Sequence, residues 1–284
     1  MKKNIGQLLL VILSAFLIAS CQESQSSSSF ASSSAESSLS SSTETTSSST
    51  TSVSESSVQS AYYKTVDWTE SGDALKKSLA TLLTTTSKTM PGYGGLKTYL
   101  PKCDLDPNGS GKMLGFYDET KLNDYWDYDT ECTWNREHVW PNSRGGSVAE
   151  GDPHMIRPAA ISTNEDRGNS MYAESGAYDP GQFLAKYRGI AARIILYTAT
   201  RYWSSGLSLS ENTSDASSKK TMGKLSDLLK WNLEYSIDIT ETHRNDTIYG
   251  DYNVRNPFID HPEAACKIWG DTDSATRGVC KISA

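Results

Sequence analysis

A stretch of 39 residues, Gln22 to Ser60, decides where this 284-residue chain can fold. Serine fills 21 of those positions, and Thr, Glu, Ala and Gln fill most of the rest. Such a composition buries too little apolar surface to offset the entropy of ordering, so the segment is expected to be disordered. As a random coil it spans roughly 30–40 Å root-mean-square, from about 5–6 Å times the square root of its length. The packed core must therefore come from Ala61 to Ala284, which is long enough for one domain.

The residues ahead of this stretch read as an export signal. Lys2 and Lys3 give a positive start, and Leu8 to Ile18 form an apolar run too short to span a bilayer. The string Leu17-Ile18-Ala19-Ser20-Cys21 resembles a bacterial lipoprotein signal, which implies a lipid on Cys21 and a membrane anchor; an ordinary secretory signal is the alternative. Either way the chain is expected outside the cytoplasm, on the extracellular face of the membrane or secreted. The expected layout is signal 1–21, tether 22–60 and a folded domain 61–284.

Outside the cytoplasm the four remaining cysteines, Cys103, Cys132, Cys266 and Cys280, permit two disulfides. None forms a Cys-x-x-Cys pair, which argues against structural zinc. Proximity along the chain favours Cys103–Cys132 and Cys266–Cys280. The net charge of −7 excludes bulk electrostatic attraction to a polyanion, so any grip on nucleic acid has to come from local arginines and a bound cation.

Within the domain, Leu75, Leu79 and Leu82 predict a helix over Gly72 to Lys88. Lys112 to Tyr117 reads as a strand after the Asn108-Gly109 turn. Trp134 to Trp140 reads as a strand leading into a glycine-punctuated loop, Pro141 to Gly151. Ser162 or Thr163 can cap a helix beginning near Asn164, with Glu165 and Asp166 in its first turn. Gly189 to Trp203 is apolar on nearly every face and predicts a central buried helix; Lys224 to Leu233 predicts another. Asp246 to Trp269 reads as loop with a terminal helix. The class is α+β, a mostly helical single domain with little sheet.

Between Asn135 and Asn169 the chain gathers His138, His154, Arg136, Arg144, Arg157, Arg167 and several carboxylates. Glu137 can hold a hard cation, and a neutral His138 can take a proton from water near pH 7. On a strand the two side chains point to opposite sides unless the strand bends. Asn164 can supply an amide oxygen, and one carboxylate, one amide and several waters suit magnesium, or manganese or calcium in its place. Arg157 and Arg167 can clamp a phosphate; their structural alternative is a salt bridge to Asp152, Glu165 or Asp166.

The strings Asn135-Arg136-Glu137-His138-Val139-Trp140-Pro141, Gly151-Asp152-Pro153-His154-Met155-Ile156-Arg157-Pro158-Ala159 and Asn164-Glu165-Asp166-Arg167-Gly168-Asn169 resemble the bacterial endonuclease I family of His-Me finger (ββα-metal) nucleases. The likeness returns at His243-Arg244-Asn245-Asp246 and at Arg255-Asn256-Pro257-Phe258-Ile259-Asp260-His261-Pro262-Glu263. It implies that His138 is the general base, that Glu137 and Asn164 hold a divalent metal, and that an arginine stabilises the transition state. Arg157 and Arg167 are the candidates for that arginine, with Arg144 as a third. The chain departs from the family's usual Asp-Leu-His-Asn-Leu at Asp152-Pro153-His154-Met155-Ile156, which loses an Asn and gains a Pro.

The implied function is a surface-tethered, monomeric extracellular nuclease hydrolysing DNA with weak sequence dependence, and RNA where the 2′-hydroxyl is tolerated. Two alternatives remain: an inactive surface lipoprotein that binds nucleic acid or another ligand, and a metal-dependent phosphodiesterase for small substrates. His154 reads as structural, and His243, Arg244, Asn245, Asn256, Pro257 and His261 read as loop scaffolding. Asn169 reads as a backbone contact.

Overall fold

A computed structural model describes residues 57–126, 134–214 and 220–283. The export signal, Cys21, the greater part of the serine-rich stretch and Cys132 lie outside the described residues, and with them the expected Cys103–Cys132 pairing. The elements follow in the order α1 (Gly72–Thr85), α2 (Gly92–Asp104), β1 (Met113–Leu114), β2 (Lys121–Leu122), β3 (Trp134–His138), β4 (Ile156–Ala160) and α3 (Ile161–Arg167). After these come α4 (Lys186–Arg201), β5 (Ser208–Leu209), β6 (Thr221–Met222), α5 (Leu225–Glu234), α6 (Ile239–Tyr252), α7 (Pro257–Asp260), α8 (Ala264–Trp269) and α9 (Ser274–Cys280). Each β-pair is a separate two-stranded sheet among the described residues, so the mostly helical α+β expectation holds at that level.

Helix α4 is the centre, buried along most of its length, and α1, α5 and α7 pack on it. Burial on every side follows from its apolar run Ile190 to Ala199. One charged residue sits in that run. Arg193 is 0% exposed, and its Nε and Nη2 donate to the two carboxylate oxygens of Glu241 at 2.6 Å each. It also donates to the Tyr235 carbonyl at 3.0 Å, tying the end of α5 to the start of α6. Glu241 serves twice, because it also accepts from the Asp238 backbone N–H in the capping box of α6. Removing one partner of a buried pair leaves an uncompensated charge. Glu241→Ala is therefore expected to cost about 3–5 kcal/mol of stability, read as a lowered denaturant midpoint. An unchanged midpoint would refute this account.

Two of the helices that the sequence did not betray are α6 and α2, each for its own reason. The buried residues of α6 include Glu241, Arg244 and Asn245, with Ile248 the apolar exception, so no apolar stripe betrays it. His243, Arg244 and Asn245 are therefore helical rather than loop. Helix α2 contains Gly92, Gly94, Gly95 and Pro101, residues that normally interrupt helices. It is held by Leu96 and Leu100 in the core and by packing on α6. The expected strand at Lys112–Tyr117 shrinks to β1, because the chain turns at Gly115, whose N–H reaches the Thr120 carbonyl. Cys266 and Cys280 are joined, as proximity suggested, which fastens α8 to α9.

Candidate active site

Strand β3 pairs antiparallel with β4, Glu137 facing Arg157 and His138 facing Ile156 in register. β4 runs directly into α3, which packs on both strands. The result is a strand–strand–helix unit whose connecting loop, residues 139–155, carries two short 3-10 turns. The helix begins at Ile161, three residues earlier than expected. Ala160 precedes it, and no side chain caps it. Thr163 lies inside the helix and donates instead to Asp118 at 2.6 Å. Asn164 is thus the fourth residue of the helix, not its start, and Glu165 and Asp166 follow in the second half.

The side chains of Glu137 and His138 part company, as strand alternation requires. Glu137 is 2% exposed. Its Oε1 accepts from the Tyr117 hydroxyl at 2.7 Å and lies 3.4 Å from Arg167 Nε, an ion pair without hydrogen-bond alignment. The Tyr117 and Tyr172 hydroxyls are themselves in contact. Tyr117 holds φ 83°, a left-handed conformation uncommon for a bulky residue, at the turn that brings its hydroxyl to the carboxylate. Burial pushes the Glu137 carboxyl above its usual range, while Arg167 and the Tyr117 hydroxyl pull it down.

His138 turns the other way. Its ring centroid is 5.2 Å from that of Tyr93 on α2. Nε2 is buried and has no hydrogen-bond partner among the described residues. Burial first, then the charges of Arg136 and Arg167, lower its pKa to about 4. The imidazole is therefore neutral near pH 7, and with its proton on Nδ1 it presents a free lone pair at Nε2.

The two candidate arginines are both internal. Arg167, 1% exposed, donates to the carbonyls of Val139 at 2.5 Å, Gly168 at 3.1 Å and His138 at 3.3 Å, and stacks 5.0 Å from the Tyr172 ring. Arg157 pairs with Asp104 at 3.1 Å and lies over Phe116. It lines a cavity of about 380 Å³ together with Cys103, Tyr187 and His243. Their carboxylate partners are thus Glu137 and Asp104, not the Asp152, Glu165 or Asp166 suggested by nearness in sequence. Asp152 is taken by Tyr197 at 2.8 Å, Tyr202 at 2.9 Å and Arg201 at 3.1 Å. Arg144 is half-buried and donates from Nε to the Asn169 carbonyl at 2.8 Å.

His154 is buried, with Nε2 3.2 Å from the Val254 carbonyl and its ring on Tyr197, which is the scaffolding role expected. Asn256 likewise caps α7 and donates to the Arg193 carbonyl. Asn164 is half-buried and stands three residues before Arg167, on the same helix face. That face is the one from which Arg167 reaches Glu137.

Among the described residues no group of three or more His, Cys, Asp or Glu is arranged to hold a metal by protein ligands alone. The donor chemistry of Glu137 and Asn164 suits a different arrangement, a hard cation that keeps most of its water. A buried carboxylate whose nearest cation is an unaligned guanidinium is also favourable ground for such an ion.

Sequence reasoning missed Tyr93, Tyr117, Tyr172 and Arg136. Arg136 was legible, since it lies two residues before His138 and so on the same strand face. The tyrosines come from segments at least 20 residues away and carry no local signal.

The endonuclease I family model matches residues 71–185 and 178–263. The extracellular ribonuclease of Bacillus amyloliquefaciens is 34% identical over 237 residues, covering 76% of this chain and 81% of that protein. The extracellular ribonuclease of Bacillus subtilis (strain 168) is 33% identical over 220 residues, covering 70% and 75%. On these matches the chain belongs to the endonuclease I family and is a nuclease, a hydrolase of phosphodiester bonds.

Proposed function

We propose that this nuclease acts outside the cell, tethered through a lipid on Cys21 and the 22–60 linker, and cleaves RNA and DNA at the strand–strand–helix unit as a His-Me finger. The extracellular ribonuclease names of the two relatives support action outside the cell and bring RNA forward as a substrate beside DNA. The observation that carries the site assignment is the buried, unpartnered Nε2 of a neutral His138 on the strand that also bears Glu137.

His138 Nε2 takes a proton from water as the water oxygen attacks phosphorus in line. The phosphorus–O3′ bond breaks and the departing oxygen takes a proton from solvent, leaving a 5′-phosphate and a 3′-hydroxyl. Glu137 and Asn164 hold the divalent cation on which members of this family generally depend, magnesium being the first candidate. Such an ion, when bound, neutralises charge growing at the phosphate. Arg167, fixed by three carbonyls, positions Glu137. Arg157 is held by Asp104 and lies over Phe116, and Arg144, the third candidate, is half-buried beside Asn169.

The test is incubation of the purified protein with plasmid DNA and with RNA in magnesium, with and without EDTA. The expected result is degradation that EDTA abolishes and added magnesium restores. Cleavage that ignores the chelator removes the metal assignment. Binding without any cleavage would identify an inactive binding lipoprotein, and cleavage of a model diester alone a small-substrate phosphodiesterase.

A further inference from the structure

A chain of net charge −7 needs local cations to grip a polyanion, and the surface beside His138 supplies them in an ordered row. Tyr93 and Lys97 are four apart on α2 and share a face. Arg136 and His138 are two apart on β3 and share a face as well. The two faces meet. The Arg136 guanidinium carbon lies 3.5 Å from the Tyr93 ring centroid and 5.1 Å from that of Trp126. Lys97 Nζ lies 4.7 Å from the Trp126 centroid. Arg136 also donates to the Tyr93 carbonyl. Read outward from the imidazole, the row is His138, Tyr93, Arg136, Trp126, Lys97. Tyr125 stands next to Trp126 with 53% of its surface exposed, and its carbonyl accepts from the Trp134 indole at 3.3 Å.

Rings and cations alternate here with a physical result. An aromatic face attracts a cation and fixes its position without cancelling its charge. Arg157, Arg167, Arg193, Arg244 and Arg255 each face a carboxylate. Arg136 pairs with no carboxylate among the described residues, and its buried Nε has no hydrogen-bond partner there. Strand β3 sets Arg136 and His138 about 7 Å apart along the row.

We propose that this row is the track along which an unpaired nucleic-acid strand reaches His138. Arg136 and Lys97 take phosphates, and Tyr125 stacks a base. The substrate class is single-stranded nucleic acid, with either sugar, in preference to duplex, because bases locked in a helix cannot offer their faces to side-chain rings. The proposal rests on His138 being the cleavage site.

The test uses the exported protein and one oligonucleotide sequence, single-stranded or annealed, as RNA and as DNA. Binding is followed by fluorescence anisotropy in EDTA, and cleavage by initial rates in magnesium. The unpaired strand is expected to bind and to be cleaved at least about tenfold better than the duplex. Tyr125→Ala is expected to weaken single-strand binding about fivefold or more, the lower end of the effect of losing one stacked base. Lys97→Ala is expected to raise KM more than it lowers kcat and to reduce the slope of log affinity against log salt by about 0.7, the single-strand value for one phosphate contact. Lys97→Arg should restore both. Equal use of duplex and single strand, or variants that leave binding and salt slope unmoved, would overturn the track. Loss of cleavage with single-strand binding and its variant effects intact would instead overturn the His138 reading and leave the track standing.

Discussion

His138→Ala is expected to slow phosphodiester cleavage by about 10²–10⁴-fold, the range contributed by a positioned acid–base side chain. The measurement is the initial rate on RNA and on plasmid DNA in saturating magnesium. Metal affinity, read by calorimetry, should be retained, because the imidazole turns away from Glu137 toward Tyr93. Stability should fall by only about 1 kcal/mol, the centre of the range for point substitutions, since Nε2 has no hydrogen-bond partner to lose among the described residues. Cleavage at the parental rate would mean that another group takes the proton from water.

Glu137 needs two substitutions, because it has two jobs that separate by chemistry. Glu137→Ala removes the carboxylate that faces Arg167 and the acceptor of the Tyr117 hydroxyl. A buried guanidinium left without its counter-charge costs about 3–5 kcal/mol, so this variant should unfold at a clearly lower temperature. Glu137→Gln keeps the shape and the acceptor oxygen but not the charge. It should retain more of the stability and require at least about tenfold more magnesium for half-maximal cleavage, since loss of a mere outer-shell partner already costs about 10–100-fold in metal affinity. If Glu137→Gln keeps the parental magnesium requirement, Glu137 is not a ligand and its role is confined to holding Arg167.

What could be read from the sequence follows a physical dividing line. Helices α1, α4 and α5 were legible because apolar residues at helical spacing mark the buried face directly. Helix α6 was not, because its buried positions Glu241, Arg244 and Asn245 are polar and find their partners outside the helix: Arg193, Asp104 and Asn256. The same line runs through the site. Glu137, His138 and Asn164 were legible as local strings. The hydroxyls of Tyr117 and Tyr172 and the ring of Tyr93 were not, since only the folded chain brings them there. For the arginines, nearness in sequence gave the wrong carboxylates, because each side chain reaches about as far as a neighbouring element and selects its partner there. Arg157 reached α2 rather than the adjacent Asp152.

The link between Arg244 and the loop before β4 has a consequence for biosynthesis. Arg244 binds Asp104 together with the carbonyls of Pro153 and Ile156, so one guanidinium on α6 braces the hairpin from 88 residues downstream. A ribosome that has made everything through Arg167 has made each candidate cleavage residue but not that brace. The hairpin is therefore expected to gain its full rigidity only once α6 has formed against it.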